Sequence, residues 1–151
     1  MQDAGLEVAF ASLFAEKLTE MPLDARAGAI TFGICLLSPF YEAAAVNPAK
    51  QGPDADLLRA IAVGEVPARR PDEAVPGAIY DAFNGAPPRE DLMHAATEHR
   101  LGEAILRVLA LLQNGAQGDT TALRSALSTL RALGLEDTAR RAALQTLLLV
   151  R

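Results

Sequence analysis

Apolar residues recur at intervals of three and four along most of this chain, and this spacing limits its possible folds more than any other feature. Leu6, Phe10 and Leu13 show it near the beginning, and Leu127 and Leu130 show it near the end. Residues spaced in this way lie on one face of an α-helix. Alternating β-branched residues, which indicate strands, are missing from the sequence. We therefore predict an all-α fold.

Prolines, glycines and capping residues divide the apolar runs into separate helices. Met21-Pro22 ends the first helix, Asp24 can cap the second, and Pro39 kinks or ends the second. Asp119 can cap a later helix, and Gly134 suits the left-handed position that follows a helix end. The predicted helical segments are residues 3–20, 24–39, 54–64, 77–83, 89–99, 101–114, 119–133 and 136–150. Residues 47–53 are predicted to form turns, and residues 65–76 an irregular surface connection.

The segment 101–114 is apolar around nearly its whole circumference. A helix of this kind is normally buried on all sides, so we expect it to be the central and most buried helix. The preceding segment, 89–99, either leads into it after a break or is continuous with it, and the sequence leaves both possibilities open.

The length and composition fit one domain. Half of the residues are hydrophobic but only 5% are aromatic, which favours helices rich in leucine and alanine. We expect a single domain over residues 1–151, less regular in 1–88 and more regular in 89–151. The predicted architecture is a bundle of six to eight helices, or a short α-solenoid, with antiparallel helical hairpins in its C-terminal part.

The last predicted hairpin resembles a known repeat. Gly134 precedes the small residues Ala139 and Ala143, and Leu123 and Leu130 lie in the helix before them. This pattern resembles the tetratricopeptide repeat over residues 119–150. The resemblance implies a helical repeat that binds proteins by presenting a groove to peptides and that has no chemistry of its own.

The charge of the chain and the search for targeting signals limit the functions and the cellular location that we expect. The chain has 14 basic and 19 acidic residues and a net charge of −5, without a basic stripe, so nucleic-acid binding is not expected. The longest uncharged run, residues 27–41, spans about 22 Å as a helix, which is too short for a ~30 Å hydrocarbon core. No secretory signal is recognisable. We expect a cytoplasmic protein, or a periplasmic one if the chain is a piece of an exported protein.

Residues capable of catalysis or metal binding are few. Cys35 is the only cysteine and lies in an apolar run, where it is expected to be a small buried side chain. His94 and His99 are five residues apart, whereas two histidines that bind metal from one helix face are four apart. A metal enzyme that uses His94, Glu98 and Glu103 is the alternative that these residues leave open. We therefore predict no catalytic residues, no metal and no cofactor.

Several of the few aromatic residues lie at predicted breaks between helices. Aromatic side chains in such places either fill the core or anchor a partner. The predicted contact surface consists of Phe40, Tyr41, Arg69, Arg70, Tyr80 and Phe83. The favoured function is a non-enzymatic protein–protein interaction or scaffolding module that binds a protein partner, with homo-oligomers possible through the helix 136–150.

An alternative function follows from the second predicted helix. Its glycine and alanine residues form a smooth face beside Phe32 and Cys35, where small side chains can leave a cavity. This arrangement predicts a helical pocket that binds an apolar small molecule or a lipid.

Overall fold

A computed structural model describes residues 6–21, 24–46, 55–66 and 69–149. Within these ranges the chain forms α-helices and no strands, which confirms the all-α prediction. They contain nine helices rather than six to eight. The helices are α1 (Glu7–Thr19), α2 (Ala25–Leu36), α3 (Tyr41–Ala45), α4 (Ala55–Val63), α5 (Ala74–Phe83), α6 (Glu90–Thr97), α7 (Leu101–Ala116), α8 (Thr120–Ala132) and α9 (Glu136–Leu149). The turns predicted at 47–53, the helix starts at Asp3 and Asp54, Pro22 and the helix end at Val150 lie outside the described residues.

Contacts divide the chain into two compact units, residues 1–65 and residues 66–151. The predicted change of regularity at residue 88 falls inside the second unit, because α5 packs against α8. That the whole chain forms one domain stays a prediction.

In the first unit each helix packs against the next one along the chain, from α1 to α4. The Asp24 carboxylate accepts a hydrogen bond from the Ala27 N–H at 2.8 Å, which confirms the predicted cap of α2. After α2, the buried Ser38 hydroxyl donates to the Cys35 carbonyl at 2.7 Å and accepts from the Phe40 N–H at 3.1 Å. These two bonds hold the turn around Pro39 and lead into α3, a short helix that the sequence did not predict.

In the second unit α8 contacts α5, α6, α7 and α9. Its leucines, among them Leu123, Leu127 and Leu130, are fully buried. Two polar side chains of α8 bind the segment before α6: the Ser128 hydroxyl donates to the Pro87 carbonyl at 3.1 Å, and the Thr129 hydroxyl accepts from the Arg89 N–H at 3.0 Å. The most buried helix is therefore α8. The prediction that the segment 101–114 holds this position is wrong.

Helices α6 and α8 end in similar ways. Gly134 has a φ of +79°, and the Leu135 N–H donates to the Leu130 carbonyl at 2.9 Å, as predicted for this helix end. His99 adopts the same left-handed conformation with a φ of +62°, and the Arg100 N–H donates to the Ala95 carbonyl at 2.9 Å. α6 and α7 are therefore separate helices, which settles the alternative that the sequence left open.

No helix in the described part of the chain combines the length and the apolar character required to cross a membrane. This finding agrees with the expectation drawn from residues 27–41.

The close approach of α7 to α8 gives a first prediction. A Cβ added to Gly115 would lie 2.8 Å from Leu123 Cβ and 3.0 Å from Leu123 Cα, so Gly115→Ala must push the two helices apart. We expect a loss of about 1–3 kcal/mol of stability in the second unit, although alanine is the better helix former. Hydrogen exchange at the buried amides of α8 measures this loss. Gly102→Ala, in the same helix and with open space around it, is the matched control and should be neutral or stabilising.

The left-handed His99 gives a second prediction. A non-glycine residue in this conformation costs roughly 1–2 kcal/mol of folding free energy. Glycine avoids this cost, but its greater flexibility in the unfolded chain cancels part of the gain. His99→Gly should therefore raise the stability of the second unit by about 0.5–1 kcal/mol, measured by urea unfolding. His94→Gly, inside α6, should lower it by about 1 kcal/mol. A loss of stability in His99→Gly would contradict the interpretation of this turn.

Candidate interaction surface

The six predicted contact residues divide between the two units and differ in exposure. Phe40 and Tyr41 belong to the first unit, and Arg69, Arg70, Tyr80 and Phe83 belong to the second. Phe40 is 60% exposed, but Tyr41 and Phe83 are only 2% and 4% exposed. Tyr41 and Phe83 are therefore part of the core of their own units, and a contact of these two residues with a partner stays a prediction.

Phe83 is held in the core by an arginine from a distant part of the sequence. The Arg131 guanidinium lies 4.7 Å from the centroid of the Phe83 ring. It also donates to the carbonyls of Ala82 and Phe83 at 3.0 and 2.8 Å, and to the Glu136 carboxylate at 2.9 Å. A cation at this position satisfies carbonyls that the end of α5 leaves unpaired. Arg131 thus fixes the end of α5 against α8 and the start of α9.

Arg70 forms an ion pair with a residue of its own unit. Its guanidinium makes two hydrogen bonds to the Asp81 carboxylate, at 2.8 and 2.9 Å. The side chain passes over Gly77, where a Cβ would lie 2.9 Å from Arg70 Nη2. The hydrogen bonds from Arg70 lower the pKa of Asp81 below its ordinary value.

The two remaining predicted residues are more accessible. The Arg69 side chain is 86% exposed and lies 3.7 Å from the Asp72 carboxylate. Tyr80 is half-buried, and its hydroxyl accepts a hydrogen bond from the Asn84 side chain at 3.2 Å. Contacts within the second unit therefore occupy part of the surface that the sequence predicted.

A different surface is apolar and exposed. On α7 the side chains of Leu101, Leu106 and Leu109 are 47%, 69% and 49% exposed. We call this surface the leucine face. The buried side of the same helix consists of smaller residues, Ala104, Val108 and Gly115. α7 therefore packs through its small residues and leaves large ones uncovered.

The leucine face carries no charge. The charged residues of α7 are Glu103 and Arg107, which pair with each other at 2.6 Å, and Glu103 also binds Arg100 at 2.7 Å. At about 100° per residue, Leu101, Leu109 and Leu106 fall within an arc of about 140°, with Ile105 between Leu101 and Leu109. Glu103 and Arg107 lie outside this arc, about 60° and 100° beyond Leu106. A partner on the leucine face therefore meets an uncharged apolar stripe.

The residues of the alternative metal site belong to a network of ion pairs. Glu98 binds His94 at 3.2 Å and Arg100 at 2.6 Å, and Arg100 joins Glu98 to Glu103. Hydrogen bonds from Arg100 are the main reason that the pKa values of Glu98 and Glu103 are lowered. Among the described residues, no group of three or more histidine, cysteine or acidic side chains is arranged to hold a metal ion.

Sequence reasoning missed the leucine face because it treated every apolar residue of 101–114 as core. One signal was present: the apolar residues cover much more of the circumference than a single buried stripe requires. Such a helix is either enclosed by the fold or exposed on one side, and the sequence of α7 does not distinguish the two.

Comparison with models of known families, with curated proteins and with solved structures finds no match to this chain. α8 and α9 do pack against each other across the connection 133–135, as a helical hairpin requires. The resemblance to a tetratricopeptide repeat stays a prediction.

The Arg70–Asp81 pair gives a third prediction. Because the folded protein lowers the pKa of Asp81, the pair stabilises the fold above the ordinary pKa of about 3.9, and this contribution is lost as the pH falls through the lowered value. Arg70→Gln should move the pKa of Asp81 back toward about 3.9, as measured by NMR titration of its carboxyl carbon. Arg69→Gln is the matched control, because Arg69 pairs with Asp72 instead. An equal shift of the Asp81 pKa in both variants would contradict the conclusion that Arg70 causes the shift.

Proposed function

We propose that this chain is a non-enzymatic protein–protein interaction module and that its contact surface is the leucine face of α7. The observation that carries the proposal is the exposure of Leu101, Leu106 and Leu109 on a helix whose other side is already packed. Contiguous exposed apolar patches are typical of interaction sites. The resemblance of residues 119–150 to a protein-binding repeat points in the same direction.

The partner must present an apolar helix face of its own. A charged side chain placed on the leucine face would lose its hydration without gaining an ion pair, which is unfavourable. Amphipathic helices that pack through an apolar stripe meet this requirement.

A second copy of the chain has the required face, and it is the partner that we propose. In an antiparallel pair of α7 helices centred on Ile105, Leu101 of each copy lies opposite Leu109 of the other. The apolar stripe is therefore self-complementary, as an interface between two identical subunits must be. Ile105 itself is half-buried and lies at the centre of the stripe.

The size of the leucine face limits the affinity that we expect between two copies. α7 has 16 residues and is about 24 Å long. A stable interface buries roughly 800 Å² on each partner, more than one helix face of this length offers. We therefore expect a weak, reversible dimer with a dissociation constant in the micromolar range or above.

The fourth prediction tests this assembly. The whole chain should show concentration-dependent dimerisation by analytical ultracentrifugation. Leu109→Lys should weaken the dimer at least tenfold, because each copy would bury an unpaired ammonium group. Leu106 is the most exposed leucine of the face but lies about 100° around the helix from Ile105, so Leu106→Lys should weaken the dimer less than Leu109→Lys. Circular dichroism should show unchanged helical content in both variants.

Leu149→Lys is the matched control. Leu149 is 39% exposed and lies on α9, the helix through which the sequence suggested homo-oligomers. This variant should dimerise like the unmodified chain. The proposal is wrong if the unmodified chain stays monomeric up to millimolar concentration, or if Leu149→Lys abolishes the dimer while Leu109→Lys leaves it intact.

A further inference from the structure

The first unit contains a partly open pocket of about 340 Å³. Its described lining comes from α1, α2, α3 and the turn before α3. The lining residues are Ala15, Glu16, Thr19, Phe32, Cys35, Ser38, Phe40, Ala43 and Ala44. Most of these are apolar, and several are alanines, so the empty space is left by small side chains.

Buried residues of α1 and α2 form the inner part of the pocket. Ala15, Phe32 and Cys35 are each at most 5% exposed. The Cys35 thiol donates a long hydrogen bond of 3.7 Å to the Ala15 carbonyl and so links the two helices. The inner wall is therefore a packed part of the first unit.

The turn after α2 places an aromatic ring at the mouth. Ser38 is buried, and its hydroxyl accepts the Phe40 N–H while donating to the Cys35 carbonyl. These bonds fix the backbone at the start of α3, and the Phe40 side chain remains 60% exposed. Phe40, which the sequence predicted as a contact residue, thus lies where an entering apolar group would meet it.

Most of the polar side chains that line the pocket are hydrogen-bonded to backbone groups. The Thr19 hydroxyl donates to the Glu16 carbonyl at 2.6 Å, and Ser38 is bonded as described above. Glu16 is exposed and is the only charged residue among the described lining residues. The interior therefore favours an apolar group, and the one charge among the described lining residues is negative.

We infer that this pocket binds a small amphiphile with a compact apolar body and a cationic or neutral polar end. An apolar cavity of about 150 Å³ holds one benzene ring, so about 340 Å³ accommodates roughly a dozen heavy atoms. Pockets of this size and character are typical of small-molecule sites. A fatty acid is disfavoured, because its carboxylate would lie beside that of Glu16.

This inference goes beyond the proposed assembly and does not depend on it, since all described lining residues belong to the first unit and the leucine face to the second. Failure of one proposal therefore leaves the other unaffected.

The fifth prediction compares octylamine, octanol and octanoate, which share one chain and differ in the polar end. Titration of the whole chain, followed by the backbone amide signals in NMR, should show octylamine binding about threefold more tightly than octanol, and octanoate more weakly than either. The shifted amides should be those of the pocket, such as Ala15, Phe32 and Ala43. In Glu16→Gln, octylamine and octanol should bind equally well.

A blocking variant and its control locate the site. Ala43→Leu places a larger side chain at the pocket and should weaken octanol binding at least tenfold. Ala9→Leu makes the same change at an exposed position of α1 outside the lining and should leave binding unchanged. The inference is overturned if none of the three compounds binds, if octanoate binds most tightly, or if the shifted amides lie away from the pocket. Equal effects of the two leucine variants would overturn it as well.

Discussion

At Gly115 the backbone of α7 comes so close to α8 that an added Cβ would lie 2.8 Å from Leu123 Cβ. The rest of the buried side of α7 is made of Ala104 and Val108, whereas α8 contributes fully buried leucines. Small residues on one helix and large ones on the other let two helices pack closely. This packing decides the rotation of α7 about its axis. It leaves Leu106 opposite Gly115, with Leu109 about 120° and Leu101 about 40° around the helix from Gly115. The leucine face is therefore a consequence of how the core of the second unit is built.

Features that depend on a few neighbouring residues were predictable from the sequence. Asp24 and Asp119 cap their helices by accepting N–H groups two or three residues ahead, and Gly134 ends α8 within the span of one turn. The all-α class and most of the helix positions follow from the same local chemistry. His99 marks the limit of this reasoning, because a histidine in a left-handed conformation is uncommon, and the sequence alone left open whether α6 and α7 are separate helices.

Features that depend on distant partners were not predictable. Phe83 lies at a helix end, which suggested an exposed anchor, but Arg131 covers its ring from 48 residues further along the chain. Leu109 lies in an almost wholly apolar helix, which suggested burial, but α8 contacts the other side of that helix. In both cases the local pattern fixed the type of side chain and left open which neighbour would cover it. The candidate contact surface is therefore the leucine face, whereas the sequence had indicated the aromatic residues.

The two exposed apolar features differ in shape, and shape determines what each can bind. The leucine face is convex, with large side chains on the outside of a helix, and a convex apolar surface loses contact with water only when another chain packs along it. The pocket is concave, because alanines on α1 and α3 leave room between helices that Cys35 and Ser38 hold together. A folded partner cannot enter a space of about 340 Å³, but a small molecule can lose most of its hydrated surface there. The same abundance of leucine and alanine therefore produces two different apolar features, with leucine on the outer surface of α7 and alanine around the cavity.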